Sequence, residues 1–173
     1  TALSLSAWPF RRCSGVRGQL ADTWRTLAVL SSGKPRDLLS PLLPGQLVHT
    51  ATEIAWSGTQ GKTRDWLQNI LVAAQTLRLP LASIASRRLE LEERDPGCQE
   101  LADLDDFAHA VSHFSRSMAR GLVVLYRSHA LPAALEDVRS ASRNARAWAP
   151  AQVDAVTAAC EAAAEQMTKP YPI

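Results

Sequence analysis

Between Gln99 and Arg127, the residues Leu101, Leu104, Ala108, Val111, Ser115, Met118, Leu122 and Leu125 recur at alternating spacings of three and four. Residues so spaced form one stripe of an α-helix, the pattern of a helix packed lengthwise on others. No proline interrupts the stretch, and Gly121 is its one position of weak helix propensity. At 1.5 Å per residue such a helix spans roughly 40 Å, the long axis of a small domain. A chain that carries this segment must fold by covering it.

The flanking sequence supplies the cover. Residues 1–14, with Trp8-Pro9-Phe10 ahead of Arg11 and Arg12, read as an irregular lead-in. A first helix is expected from Val16 to Leu30, with Val16, Leu20, Trp24 and Leu27 on one face and Gly33 closing it. Pro35, Pro41 and Pro44 break the stretch from Lys34 to Gly45. A second helix is expected from Gln46 to Trp56. A third starts near Thr63, with Trp66, Leu67, Ile70, Leu71, Ala74 and Leu77 as a wide apolar face. Pro80 kinks or ends it, and Leu81 to Glu93 continue on one side. Asp95-Pro96-Gly97 is a turn. After the central helix, Pro132 opens a helix to about Ala147, and Pro150 opens another to Met167. Residues 169–173 form a tail. Leu122 to Tyr126, with its paired valines, has the composition of a strand, but its place on the long seam decides for helix. The expected fold is all-α. It is a single-domain, irregular bundle of about six helices over residues 15–168, built around the helix 99–127.

At 173 residues, 46% hydrophobic and 21% charged, the chain can bury a sizeable core. A net charge of +2 gives no general attraction to nucleic acid or membranes. No apolar run approaches the ~20 residues needed to cross a bilayer. Thr1 to Ala7 lack the basic segment of a signal peptide. The first residue is Thr1, as in a trimmed terminus or a piece of a longer chain. Cys13, Cys98 and Cys160 are odd in number and far apart, with no CxxC pair. Reduced thiols and a cytoplasmic location are expected.

Chemistry-bearing residues are sparse. His109 and His113 stand four apart on one helix face. They could share one metal ion, with Asp105 or Asp106 as a carboxylate ligand and His49 joining from another helix. One upstream histidine followed by HxxxH in a small helical chain is similar to the metal triad of the DinB-like superfamily. That resemblance implies a metal- or thiol-dependent transferase using His49, His109 and His113. At about 100° per residue, though, both helix histidines fall opposite the seam, among Asp105, Asp106, Arg116 and Arg120. A solvated face laced with i,i+4 ion pairs is expected there, with no metal or other cofactor.

Ser57 to Thr63 end as a phosphate-binding loop does, with Gly-Lys-Thr before a helix. The full motif needs a glycine where Trp56 stands, and a strand before the loop. An inter-helix loop with no phosphate site is expected. Trp56-Ser57-Gly58 also resembles the turn of the Trp-x-Gly (WXG) family of small secreted helical hairpins. That likeness implies two antiparallel helices joined at this point. Neither Tyr126 nor Tyr171 has the acidic residue four positions on that the family's secretion signal carries.

No GxSxG is present. Cys98 lies near a helix start, where a thiolate is favoured, but among acids that oppose ionisation. No catalytic residue is assigned. Charge is segregated: Glu90 to Asp106 hold eight acidic residues and only Arg94 as a cation, while residues 107–148 hold six arginines. Arg139, Arg143 and Arg146 form a stripe suited to an anionic partner, phosphate or acidic protein, or to neutralising the acidic block within the molecule. The expected function is non-enzymatic: a helical interaction or assembly module that binds a protein partner or itself. A nucleic-acid-binding regulator is less favoured, because few aromatics interleave with the basic residues.

Overall fold

The structure is a computed structural model that describes residues 8–33, 42–124 and 130–169, with side chains from Gly15 onward. It contains α1 (Trp8–Ser32), α2 (Leu42–Trp56), α3 (Lys62–Arg94), α4 (Gln99–Val124), α5 (Ala130–Ala145) and α6 (Pro150–Thr168). No strand occurs among the described residues. Leu122, Val123 and Val124 are helical. Leu125, Tyr126 and Arg127, expected to extend the central helix, lie outside the described residues.

Each expected seam residue of α4 up to Leu122 is buried. So are Phe107, Phe114, Ser112, Ser117 and Ala119, because α4 touches α1, α3, α5 and α6. The helix is buried over a much wider arc than one stripe, and its small residues make that possible. Ser112 Oγ donates to the Ala28 carbonyl of α1 at 2.6 Å, and Arg116 Nη2 reaches Ser32 Oγ at 3.4 Å. A Cβ on Gly121 would stand 2.7 Å from Met167 Cε of α6. The weakest helix former of α4 thus sits where α6 approaches closely.

Helix α1 begins at Trp8, so residues 8–14 of the expected irregular lead-in are helical, and residues 1–7 of it lie outside the described residues. Pro9 occupies the first turn, where its missing N–H has no intrahelical partner to lose. The same logic lets α2 start at Leu42, with Pro44 in its first turn, earlier than Gln46. Helix α3 continues through Pro80 as one helix of 33 residues. An interior proline costs about 3 kcal/mol. Leu77, Leu81, Ile84 and Ala85 are all buried around it. At about 1.5–3 kcal/mol per large apolar side chain, that burial outweighs the lost bond.

Polar contacts set helix directions. Trp66 Nε1 at the start of α3 donates to the Gln166 carbonyl at the end of α6, at 2.9 Å, so these helices are antiparallel. Arg87 clamps Glu100 with Nε at 2.7 Å and Nη2 at 3.1 Å, closing the α3–α4 hairpin. Arg139 to Glu161 at 2.9 Å and Arg146 to Asp154 at 2.7 Å tie α5 antiparallel to α6. At the centre, Trp24 of α1 meets Phe114 of α4 edge-on, with ring centroids 6.1 Å apart. Both side chains are fully buried. Phe114→Ala is expected to cost about 3–5 kcal/mol of unfolding free energy, the usual range for deleting a buried aromatic ring, as read from denaturant titration.

Candidate interaction surface

The residues that looked chemical in the sequence do not converge. His49, His109 and His113 are all exposed. His109 Nδ1 lies 2.8 Å from the Asp105 carbonyl of its own helix, and His113 Nδ1 lies 3.5 Å from Asp137 Oδ2 of α5. Among the described residues, no group of three His, Cys, Asp or Glu side chains is placed to hold a metal ion. The histidine triad is therefore not assembled, because the α4 pair points away from the core.

The arginine stripe stays on the surface and forms ion pairs within its own protein. Arg139 pairs with Glu161 and Glu136, Arg143 with Glu136 at 3.7 Å, and Arg146 with Asp154. Hydrogen bonding to Glu161 raises the Arg139 pKa further above its ordinary value. Arg87 is raised in the same way, first by Glu100 and then by Glu90. Arg88 is buried, and its Nε donates to Asp105 Oδ1 at 2.5 Å. Asp103, also buried, accepts from Gln99 Nε2 and Trp148 Nε1, both at 2.8 Å. The acidic block at the start of α4 is thus largely consumed by intramolecular partners.

The 57–61 loop joins two helices, not a strand to a helix. Gly58 and Gly61 adopt φ of 70° and 60°, the left-handed region that glycine tolerates. Ser57 Oγ donates to the Ile54 carbonyl at 2.8 Å and lies 2.7 Å from Thr59 Oγ1. These bonds close the turn internally. Cys98 precedes α4, and its Sγ accepts the Leu101 N–H at 3.4 Å. Cys160 is fully buried in α6, and burial drives its thiol pKa far up.

The structure also leaves apolar side chains exposed on α2 and α3. Trp56 is 81% exposed, Leu79 70%, Val48 67% and Val72 49%. On α2, Val48, Thr52 and Ala55 are spaced by four and three, on one outer face. On α3, Val72, Thr76 and Leu79 repeat that spacing and form a ridge. Val72 separates two grooves. One, of about 120 Å³, runs between α2 and α3 past Ile54, Ala55 and Gln68. The other, of about 500 Å³, runs between α3 and α6 and is floored by Ala73, Ala155, Ala158, Ala159 and Ala162. Among all residues lining the two grooves, Arg64 alone is charged.

Sequence reasoning missed this surface. The apolar face of α3 was assigned wholly to the core, although Val72 and Leu79 lie off the arc of Leu67, Ile70, Ala74 and Leu77. The available signal was the absence of charge from Trp66 to Leu77, and a second alanine face on α6 at 155, 158 and 162. No described helix is long and apolar enough to cross a membrane. Compared with known proteins, the chain matches no family model, no curated protein and no solved structure.

Two outcomes follow for the polar groups. Asp103→Ala removes the charged acceptor of the Trp148 indole N–H, on a side chain that is 44% exposed, and is expected to cost about 1–3 kcal/mol. A double-mutant cycle with Trp148→Phe should return a coupling of about 0.5 kcal/mol or more. For Cys160, the native thiol keeps its proton while the unfolded thiol ionises above about pH 8.5. The unfolded state then binds fewer protons, so stability falls as pH rises, by up to about 1.4 kcal/mol per unit from this group. Stability curves from pH 7 to 10 should lose that component in Cys160→Ala.

Proposed function

We propose that this chain is a non-enzymatic helical interaction module that docks a protein partner on the α2–α3–α6 face. The observation that carries the reading is Val72, an exposed aliphatic side chain on a ridge between two grooves whose lining holds Arg64 as its one charged residue. A monomeric surface scatters apolar side chains singly. Contiguous apolar ground between polar margins is the mark of a recognition site. Trp56 at the end of α2 adds a large, rigid aromatic of the kind that anchors interfaces.

The internal pairing of Arg139, Arg143 and Arg146 takes away the main motive for a nucleic-acid reading. The exposed, separate histidines give a transferase no assembled centre. The cytoplasm is the proposed location, in keeping with free thiols at Cys98 and Cys160, the two cysteines whose side chains are described.

A photocrosslinking residue placed at position 72, and as a control at position 109, tests the reading in the expressing cell. A protein adduct of discrete mass is expected from position 72 and none from position 109. Absence of any adduct at 72, or equal labelling at both positions, would remove the docking face.

A further inference from the structure

We infer that the partner on this face docks through an acidic amphipathic helix, which lies along the α2–α3 groove with carboxylates over Arg64 and Arg78 and apolar side chains between them. The inference names the class of partner for the docking role proposed above and rests on it.

Charge selects the occupant. Arg64 and Arg78 bracket the uncharged run from Trp66 to Leu77 on α3. Both are exposed, and neither meets a carboxylate among the described residues. Arg87, Arg88, Arg139 and Arg146, by contrast, each hold a carboxylate of a neighbouring helix. The α3 wall of the groove is Arg64, Gln68, Leu71, Val72 and Gln75, and the helical spacing of that wall continues to Arg78. No carboxylate lines the groove. Glu53 stands two positions from both Ala51 and Ala55 of the α2 wall, about 200° away around the helix. Asp65 shares its side of α3 with Asn69, which lines the other groove. The α3 wall thus carries a positive charge at each end with no negative charge between, an arrangement that draws carboxylates and repels a basic partner.

The walls select a helix. Ala51, Ile54, Ala55, Leu71 and Val72 make the sides of the groove apolar, and the amides of Gln68 and Gln75 are its uncharged polar groups. An extended peptide laid there turns backbone N–H and C=O groups onto walls that hold few partners for them. A helix satisfies its backbone internally and presents side chains alone. The phosphates of a nucleic acid bring nothing apolar to these walls, and they bind through many cations rather than two set far apart. Alanine at 51 and 55 lets a third helix come close. From Arg64 to Arg78 is 14 residues, about 21 Å at 1.5 Å per residue. Carboxylates four turns apart on one side of a partner helix reach both arginines.

Fluorescence anisotropy of the purified full chain tests the assignment, with a stapled helical probe of about 18 residues that carries a leucine stripe flanked by glutamates. A matched probe has lysine at every glutamate position. The glutamate probe is expected to bind with a Kd of about 100 μM or tighter, and the lysine probe at least about 10-fold more weakly. Because both arginines are exposed, Arg64→Glu combined with Arg78→Glu should leave helicity by circular dichroism unchanged and reverse the preference between the probes. A glutamate probe that binds no better than the lysine probe, or a double variant that keeps the wild-type preference, would overturn the assignment. So would a chain that ignores both probes and binds vesicles containing phosphatidylserine. If the probes fail while the crosslinker at position 72 captures a protein through a segment without carboxylates, the acidic helix falls and the docking role stands. If position 72 also captures nothing, both fall.

Discussion

Helix α4 is surrounded by α1, α3, α5 and α6, and the architecture follows from how closely those neighbours can approach it. Its large side chains, Leu104, Phe107, Phe114, Met118 and Leu122, fill the space between helices. Of its small ones, Ser112 lets the α1 backbone come near, and Gly121 leaves room for the Met167 side chain of α6. Ser112 is a case of both demands at once. Its side chain is small enough for α1 to pass beside it, and its hydroxyl is satisfied by the Ala28 carbonyl. A buried hydroxyl without that acceptor would cost about as much as a lost hydrogen bond. The arc of Ala102, Asp106, His109, His113, Arg116 and Arg120 stays open to solvent, as do Gln99, Val123 and Val124 at the ends of the helix.

The folded chain reunites charges that the sequence keeps apart. The acidic block before and within α4 meets Arg87 and Arg88 of α3 and the indole of Trp148. The later arginines of α5 meet the carboxylates of α6. Exposed pairs of this kind contribute little individually to stability, roughly 0–1 kcal/mol each. Their geometric effect is larger. With Asp154 and Glu161 of α6 paired to α5 and Glu165 to Lys169, the flank of α6 next to α3 presents alanine to the groove. The α3–α6 groove is thereby lined without a charged side chain, and Arg64 is the one charge in the neighbouring α2–α3 groove.

Helical periodicity made most of the fold legible. Val153, Val156, Cys160 and Ala163 of α6 are buried as their spacing requires, as are Leu131, Leu135 and Val138 around α5. Proline was harder to interpret. Pro9, Pro44 and Pro80 all lie within helices, because the first turn tolerates a missing N–H and because core burial around residue 80 exceeds the local penalty. The outward direction of His109 and His113 was also legible, since position on a wheel follows from residue number alone. The candidate interface was not. A valine at 72 and a leucine at 79 look the same in a sequence whether a neighbouring helix covers them or not.

The sequence by itself determined the secondary structure, the buried seam of α4 and the absence of a local catalytic motif. Each of these is encoded in spacings within about one or two helical turns. Only the tertiary structure decided which helices are neighbours, and therefore which carboxylate each arginine meets and which apolar side chains remain uncovered. Those outcomes depend on groups as far apart as Trp66 and Gln166, joined at 2.9 Å. No local pattern specifies such a pairing. It emerges when the whole bundle finds the arrangement that buries α4, satisfies its polar groups and leaves the Val72 ridge outside.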